Sequence, residues 1–101
     1  MVFQRGGHVY ILANKYNSVL YIGVTSELIS RVWQHKNKSN PGSFTSKYNC
    51  NKLVYYAGFN HIEEAIAEEK RLKGSNREYK RRLISEFNSE WKDLYQGLID
   101  E

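Results

Sequence analysis

A chain of 101 residues is one domain's worth of protein, and its 41% hydrophobic and 14% aromatic content can close one modest core, which excludes a disordered body. A single cysteine, Cys50, excludes an internal disulfide and a cysteine-built zinc cage and suits a reducing compartment. With 15 Lys and Arg against 11 Asp and Glu the formal charge is +4, which accommodates a polyanionic partner without demanding one.

No charged-then-apolar leader reads as a signal peptide, and no apolar run approaches membrane-spanning length. The expectation is a soluble, cytoplasmic, single-domain protein with no membrane role. Residues 1–7 form a short lead ending in Gly6-Gly7. Val9-Tyr10-Ile11-Leu12 is a β-prone run, Asn14 to Ser18 reads as a turn, and Val19 to Val24 is a second run, so 8–24 is expected to be a hairpin. Alternation puts Val9 and Ile11 on one face, Tyr10 and Leu12 on the other, and sets Leu20, Ile22 and Val24 against Val19, Tyr21 and Gly23.

Thr25 or Ser26 can cap the helix that follows, with Glu27 suiting its positive first turn. At about 100° per residue, Leu28, Ile29, Val32 and Trp33 make one apolar arc, and Arg31 and His35 lie side by side at its rim. Residues 37–50 hold the only proline and read as a loop with room for a turn of helix. Leu53 to Ala57 is a third strand. Asn60 with Glu63 is a capping-box pattern that opens a helix through Lys73, stopped by Gly74. Ser75 can cap a further helix whose Tyr79, Leu83 and Phe87 share a face, and Trp91, Leu94 and Tyr95 suggest a last short helix packing back on the body.

Two features stand out from that frame. Lys70, Arg71, Lys73, Arg77, Lys80, Arg81 and Arg82 crowd one segment, with Lys36, Lys38, Lys47 and Lys52 as a sparser group; a solvated helix face and a phosphate-tracking surface explain them equally well. Glu69 falls in the middle of the inward stripe defined by Ile62, Ala65, Ile66, Leu72 and the stem of Lys73, whereas Glu63, Glu64 and Glu68 fall away from it. An inward carboxylate must be paired, hydrogen-bonded, protonated or bound to a cation. Pairing with Arg31 or a nearby lysine is the plain structural explanation. The functional one is a metal ligand or acid–base group, and a single carboxylate holds Mg²⁺ usefully only when the substrate brings oxygen ligands of its own, as phosphodiesters do.

Taken as one pattern, "VYI" at Val9–Ile11, "YIG" at Tyr21–Gly23, Arg31 ten residues after Tyr21, His35 four beyond that and Glu69 on a later helix resemble the GIY-YIG nuclease domain. The segments "EAIAEEKRLKG" and "EFNSEW" are similar to small stand-alone members of that superfamily, related to the amino-terminal domain of the nuclease component of bacterial excision repair. The resemblance runs from about residue 7 to 95 and implies an α+β fold, a three-stranded antiparallel sheet flanked by helices. It implies metal-dependent hydrolysis of a phosphodiester in DNA, with RNA left open, in a setting of DNA repair or processing. Tyr10 and Tyr21 would line the active face, one of them taking a proton from water, more often the second. Arg31 would neutralise the scissile phosphate and His35 would assist. Glu69 would be the sole protein ligand of one Mg²⁺ or Mn²⁺, and Asn88 would match a late family asparagine. Lys36, Lys47, Lys70, Lys73 and Arg77 would track the nucleic-acid backbone, and specificity would be weak, structure-based or supplied by a protein partner.

Two positions depart from the pattern. His8 stands where the family name has glycine, and Val24 stands where some excision-repair relatives carry lysine, so one cationic contact is missing. An ordinary tyrosine has a pKa of about 10 and is phenolate in only about one molecule per thousand at pH 7, so a tyrosine base predicts activity rising toward alkaline pH. The alternatives are a non-catalytic nucleic-acid-binding module of the same fold, and a protein-interaction domain whose carboxylate merely pairs with Arg31.

Overall fold

A strand that is apolar on both of its alternating faces is stable only when covered from both sides. The run Val9-Tyr10-Ile11-Leu12-Ala13 is of that kind, and the structure, a computed structural model describing residues 6–100, buries all five residues almost completely. They are the last five residues of β1 (Gly7–Ala13), which pairs antiparallel with β2 (Leu20–Thr25) on one side and β3 (Lys52–Phe59) on the other. Five helices complete the order: α1 (Leu28–Lys36) and α2 (Phe44–Tyr48) lie between β2 and β3, and α3 (Ile62–Lys73), α4 (Arg77–Phe87) and α5 (Tyr95–Ile99) follow β3. The α+β class and the three-stranded antiparallel sheet are as expected.

Each face of the sheet carries its own core. Val9, Ile11, Ala13 and Ile22 pack with Ala65 and Leu72 of α3 and Ile84 of α4. Tyr10 and Leu12 pack on the opposite face with Leu28 and Val32 of α1, and Leu94, Tyr95 and Leu98 close that layer. The alternation expected for the hairpin therefore holds on both strands. β3 breaks it once: Ile11 faces Tyr55 but Leu12 faces Leu53, so Val54 is an extra residue in the strand. The bulge turns Val54 and Tyr55 to the same layer while Leu53 and Tyr56 keep the other.

The starts of α1, α3 and α4 differ from the expected ones by one or two residues, each for a local reason, and Trp91, expected in the last helix, lies ahead of α5. The Thr25 hydroxyl accepts from the Glu27 amide (3.0 Å), so it shapes the turn ahead of α1 and leaves Glu27 as the N-cap. α3 is capped by His61, whose amide donates to the Glu64 carboxylate (3.2 Å), one residue later than the Asn60–Glu63 pattern suggests. Asn76, not Ser75, caps α4 by accepting from the Tyr79 amide (2.7 Å); Ser75 instead donates its hydroxyl to the Leu72 carbonyl and closes α3. Ser43 caps α2 within the loop, its hydroxyl accepting from the Ser46 amide. Of the expected lead, residues 1–5 lie outside the described residues, and Gly7 already belongs to β1.

The inward faces of the helices depart further from expectation. Ile29 and Trp33 are exposed, and α1 instead turns Leu28, Val32 and His35 inward. On α3, Ile66 is exposed and the Lys73 side chain is more than half exposed, so neither belongs to the inward stripe, while Glu68 is shielded and paired with Arg71. On α4 the buried residue is Ile84, with Tyr79 and Leu83 half-buried beside it; Phe87 lies largely in the open against the edges of Tyr55 and Tyr56. Among the described residues no helix is long and apolar enough to cross a membrane.

Candidate active site

The α1 face of the sheet gathers the polar residues singled out by sequence. Tyr10 stands on the central strand directly opposite Gly23 of β2, and its ring lies over that glycine: a β-carbon there would come within 2.4 Å of the Tyr10 ring carbon Cζ and of its hydroxyl. So placed, the Tyr10 hydroxyl meets Nε2 of His35 at 2.9 Å, and the other nitrogen of His35, Nδ1, meets the Thr45 hydroxyl at 2.7 Å. Thr45 in turn lies 3.2 Å from the Ser43 hydroxyl. A buried chain of exchangeable protons thus runs from β1 through α1 to α2.

Burial sets the protonation of this chain. Tyr10 is pushed up to about 12, first by desolvation and then by the Tyr21 phenol, against the pull of the Arg31 guanidinium. His35 is pushed down to about 4, first by burial and then by the positive charge of Arg31. Near neutral pH both are uncharged. A neutral imidazole donates from one nitrogen and accepts at the other, so the chain carries its hydrogen bonds in one direction at a time.

Tyr21, one strand outward, is only half-buried and reaches open space. It lines a cleft of about 460 Å³ together with Arg31, Gln34, His35, Phe44 and Thr45. Arg31 is exposed and held by Gln34 (2.9 Å). The rings of Tyr10, Tyr21 and His35 lie within 5.4–6.3 Å of one another, so four of the expected catalytic residues converge here. A second groove, of about 370 Å³, opens on the other side of Tyr21 and Phe44, and its remaining walls include Lys73, Arg77 and Lys80.

Glu69 approaches from α3. Its side chain is 15% exposed, its charge adds to the upward push on Tyr10, and its carboxylate pairs with Lys73 at 3.1 Å. The nearby lysine, not Arg31, is thus the pairing partner. Among the described residues no group of three His, Cys, Asp or Glu side chains could cage a metal. A lone shielded carboxylate held by an exposed lysine fits a hard cation that keeps waters and completes its shell with phosphate oxygens, and it fits no all-protein metal cage.

The remaining sequence candidates divide. Lys73 and Arg77 face the second groove; Lys47 sits over the Tyr48 ring, and Lys70 is exposed on α3. Lys36 is turned elsewhere, its ammonium bonded to the Asn51 carbonyl (2.7 Å) and in a short ion pair with Asp93, so it anchors the C-terminal segment. Asn88 is also structural: its amide donates to Val54 (3.2 Å) and Lys92 (2.8 Å) carbonyls, tying β3 to the turn after α4. Thr45, Ser43 and Phe44 were missed. Pro41-Gly42-Ser43 does mark a cap ahead of a short helix, but only the folded chain brings that helix to His35.

Comparison with known proteins decides the family. A model of the GIY-YIG catalytic domain matches residues 6–83. This chain belongs to the GIY-YIG family. It is also similar to the solution structure of a UPF0213 protein from Bacillus halodurans, with 30% identity over 79% of this chain and 83% of that one and a TM-score of 0.50. No curated protein matches. A GIY-YIG domain is of nuclease type, which makes nucleic acid the expected substrate class. His8, at the family's glycine position, finds its space across the ladder: it faces Gly58, where a β-carbon would lie 3.2 Å from its ring, and its own ring meets Tyr56 edge-on.

Proposed function

We propose that this GIY-YIG domain is a metal-dependent endonuclease that hydrolyses phosphodiester bonds in DNA. The observation that carries the reading is the convergence of Tyr21, Arg31 and His35 on one cleft, backed by the buried Tyr10–His35–Thr45 chain. Arg31, an exposed cation at that cleft, binds the non-bridging oxygens of the scissile phosphate and offsets charge that builds in the transition state. Tyr21, as the phenolate formed after its own proton passes to solvent, takes the proton of the attacking water and returns to the phenol. Water oxygen forms the new bond to phosphorus, the bond to the leaving oxygen breaks, and solvent protonates the leaving alkoxide.

Tyr10 is unsuited to the base role. It is buried, its pKa stands near 12, and its hydroxyl is already engaged with His35. Its part is to hold His35 and to give the Tyr21 side of the cleft a rigid floor. Glu69 would hold Mg²⁺ or Mn²⁺, and the ion would supply Lewis-acid stabilisation of the leaving oxygen. Lys73 must release Glu69 for that to happen, and an exposed lysine does so at little cost.

The Glu69–Lys73 pair is also what a non-catalytic nucleic-acid-binding module would keep, so the deciding experiment compares wild type with Glu69→Gln. Both are incubated with supercoiled, single-stranded and branched DNA in Mg²⁺, Mn²⁺ or EDTA. Metal-dependent cleavage lost in Glu69→Gln, with DNA binding retained, is the expected result. No cleavage of any substrate by wild type, with salt-sensitive binding intact, would favour the binding module.

A further inference from the structure

Phe44 is the first residue of α2 and carries no part of the chemistry above, yet 45% of its surface is exposed. Its ring stacks on Tyr21 (centroids 6.0 Å apart, planes at 29°) and touches Tyr48 at 4.7 Å, which is itself exposed and lies under the Lys47 ammonium. A lone surface aromatic is ordinary; three in a row, two of them more than 40% exposed and edged by cations, form a patch that calls for a partner.

The position of the ring matters more than its exposure. Phe44 and Tyr21 are the two residues shared by both clefts, so they form the saddle between them. Arg31 and Lys38 supply the charge on one side, and Lys73, Arg77 and Lys80 on the other. Among the described residues neither lining holds a carboxylate. Arg77 and Lys80 each donate to one backbone carbonyl, Ser18 and Ser75, and keep their charge and further N–H groups for a ligand. A polyanion seated in both clefts must cross the aromatic saddle.

We infer that Phe44 is a base-stacking platform, and that the strand this site accepts is single-stranded or locally unpaired, its backbone running between Arg31 and the Lys73–Arg77–Lys80 groove with one base laid on Phe44. In a regular duplex each base is already stacked on its neighbours and turned away from the phosphates, so a ring set between two phosphate-binding clefts finds nothing to cover. An unpaired base offers its face without that loss, and the contact tolerates any base. The inference rests on the proposed nuclease site.

The test measures binding in EDTA with Glu69→Gln as the background, so that no strand is cut. The probes are a single strand of DNA about 12 nucleotides long, matched to the usual span of such sites and carrying 2-aminopurine, its RNA counterpart, and the DNA annealed to its complement. Phe44→Leu keeps apolar bulk against Tyr21, and its melting curve checks the fold. The expected result is a loss of roughly tenfold for the single strands, little change for duplex, and an unaltered salt slope, because a base contact is removed and no phosphate contact. Phe44→Trp should restore binding, and its indole emission should be quenched by the single strand. That measurement decides the matter even if the leucine variant melts early. Equal losses on single strand and duplex, or no loss and no quenching, would overturn the platform. Cleavage by the wild type that ignores Phe44 sinks the platform alone; Phe44-dependent binding without cleavage sinks the nuclease reading alone.

Discussion

Gly23→Ala is the sharpest test of how the site is built. A β-carbon on Gly23 would lie 2.4 Å from both Cζ and the hydroxyl of Tyr10 and 2.9 Å from Cε1, where carbon–carbon contacts settle at about 3.5–4.0 Å. The backbone is no obstacle, since no described glycine has positive φ. Tyr10 cannot yield easily: it is buried on the central strand, and its hydroxyl is held by His35 at 2.9 Å. Overpacking costs about 1–3 kcal/mol and the broken hydrogen bond about 1 kcal/mol more, against about 0.5–1 kcal/mol returned by a stiffer unfolded chain. The net is about 2 kcal/mol, which for a domain of this size lowers Tm by roughly 8–16 °C. Thermal melts of wild type, Gly23→Ala, Tyr10→Leu and the double variant measure it. Leucine removes the three clashing atoms, so Gly23→Ala should cost almost nothing in the Tyr10→Leu background. An equal penalty in both backgrounds, or none in either, would refute the claim that this glycine exists to seat that ring.

Stability should have two pH limbs. His35 is depressed to about 4 in the fold, so between about 6.5 and 4 the unfolded chain binds more protons and up to about 3 kcal/mol is lost as pH falls; Tyr10, raised to about 12, takes away a similar amount as pH climbs from about 10 to 12. Urea melts across pH should show both limbs, with His35→Gln flattening the acid one; an acid limb that survives His35→Gln intact would assign it to the carboxylates. Tyr21→Phe should lower the cleavage rate by about 10²–10⁴, the usual worth of a general base, and abolish the rise toward alkaline pH, whereas Tyr10→Phe should keep that rise. Single-turnover rates at several pH values separate the two, and the reverse pattern would exchange their roles. Lys73→Met should tighten Mn²⁺ binding by roughly two- to fivefold, the worth of an exposed ion pair, and reduce the salt slope of DNA binding by about one. Titrations followed by electron paramagnetic resonance and by anisotropy would show it, and unchanged Mn²⁺ affinity would mean that Lys73 does not compete for Glu69.

Much of the fold and site is legible in the chain because it rests on local rules. The alternation of Val9 to Leu12 and of Val19 to Val24 fixes which side chains share a face within each strand, while the placing of Tyr10 and Tyr21 on one face of the sheet rests on the family resemblance and is what the structure has. Glu69 stands out because a carboxylate amid Ala65 and Leu72 violates an apolar stripe, and its shielding is found. What stays hidden depends on which face of a helix meets which neighbour. Ile29 and Trp33 look like core on apolarity alone, yet α1 is rotated so that His35 takes the inward place, with Tyr10 and Thr45 satisfying both of its nitrogens. Lys36 shows the same limit: its charge suggests phosphate, but Asp93, 57 positions later, arrives to claim it.

The two tyrosines of the motif are chemically alike, and the sheet makes them different. β1 is the middle strand, so a tyrosine on it is covered by helices on that face and by neighbours on both sides; β2 is an edge, so its tyrosine reaches a cleft. Burial raises the energy of the phenolate, and the central tyrosine is therefore held as a neutral hydrogen-bonding group near neutral pH. Gly23 completes the division, because the missing side chain on β2 lets the Tyr10 ring lie over it with its hydroxyl on His35. The order of strands thus accounts for why one tyrosine of the motif is buried and hydrogen-bonded to His35 while the other reaches the cleft.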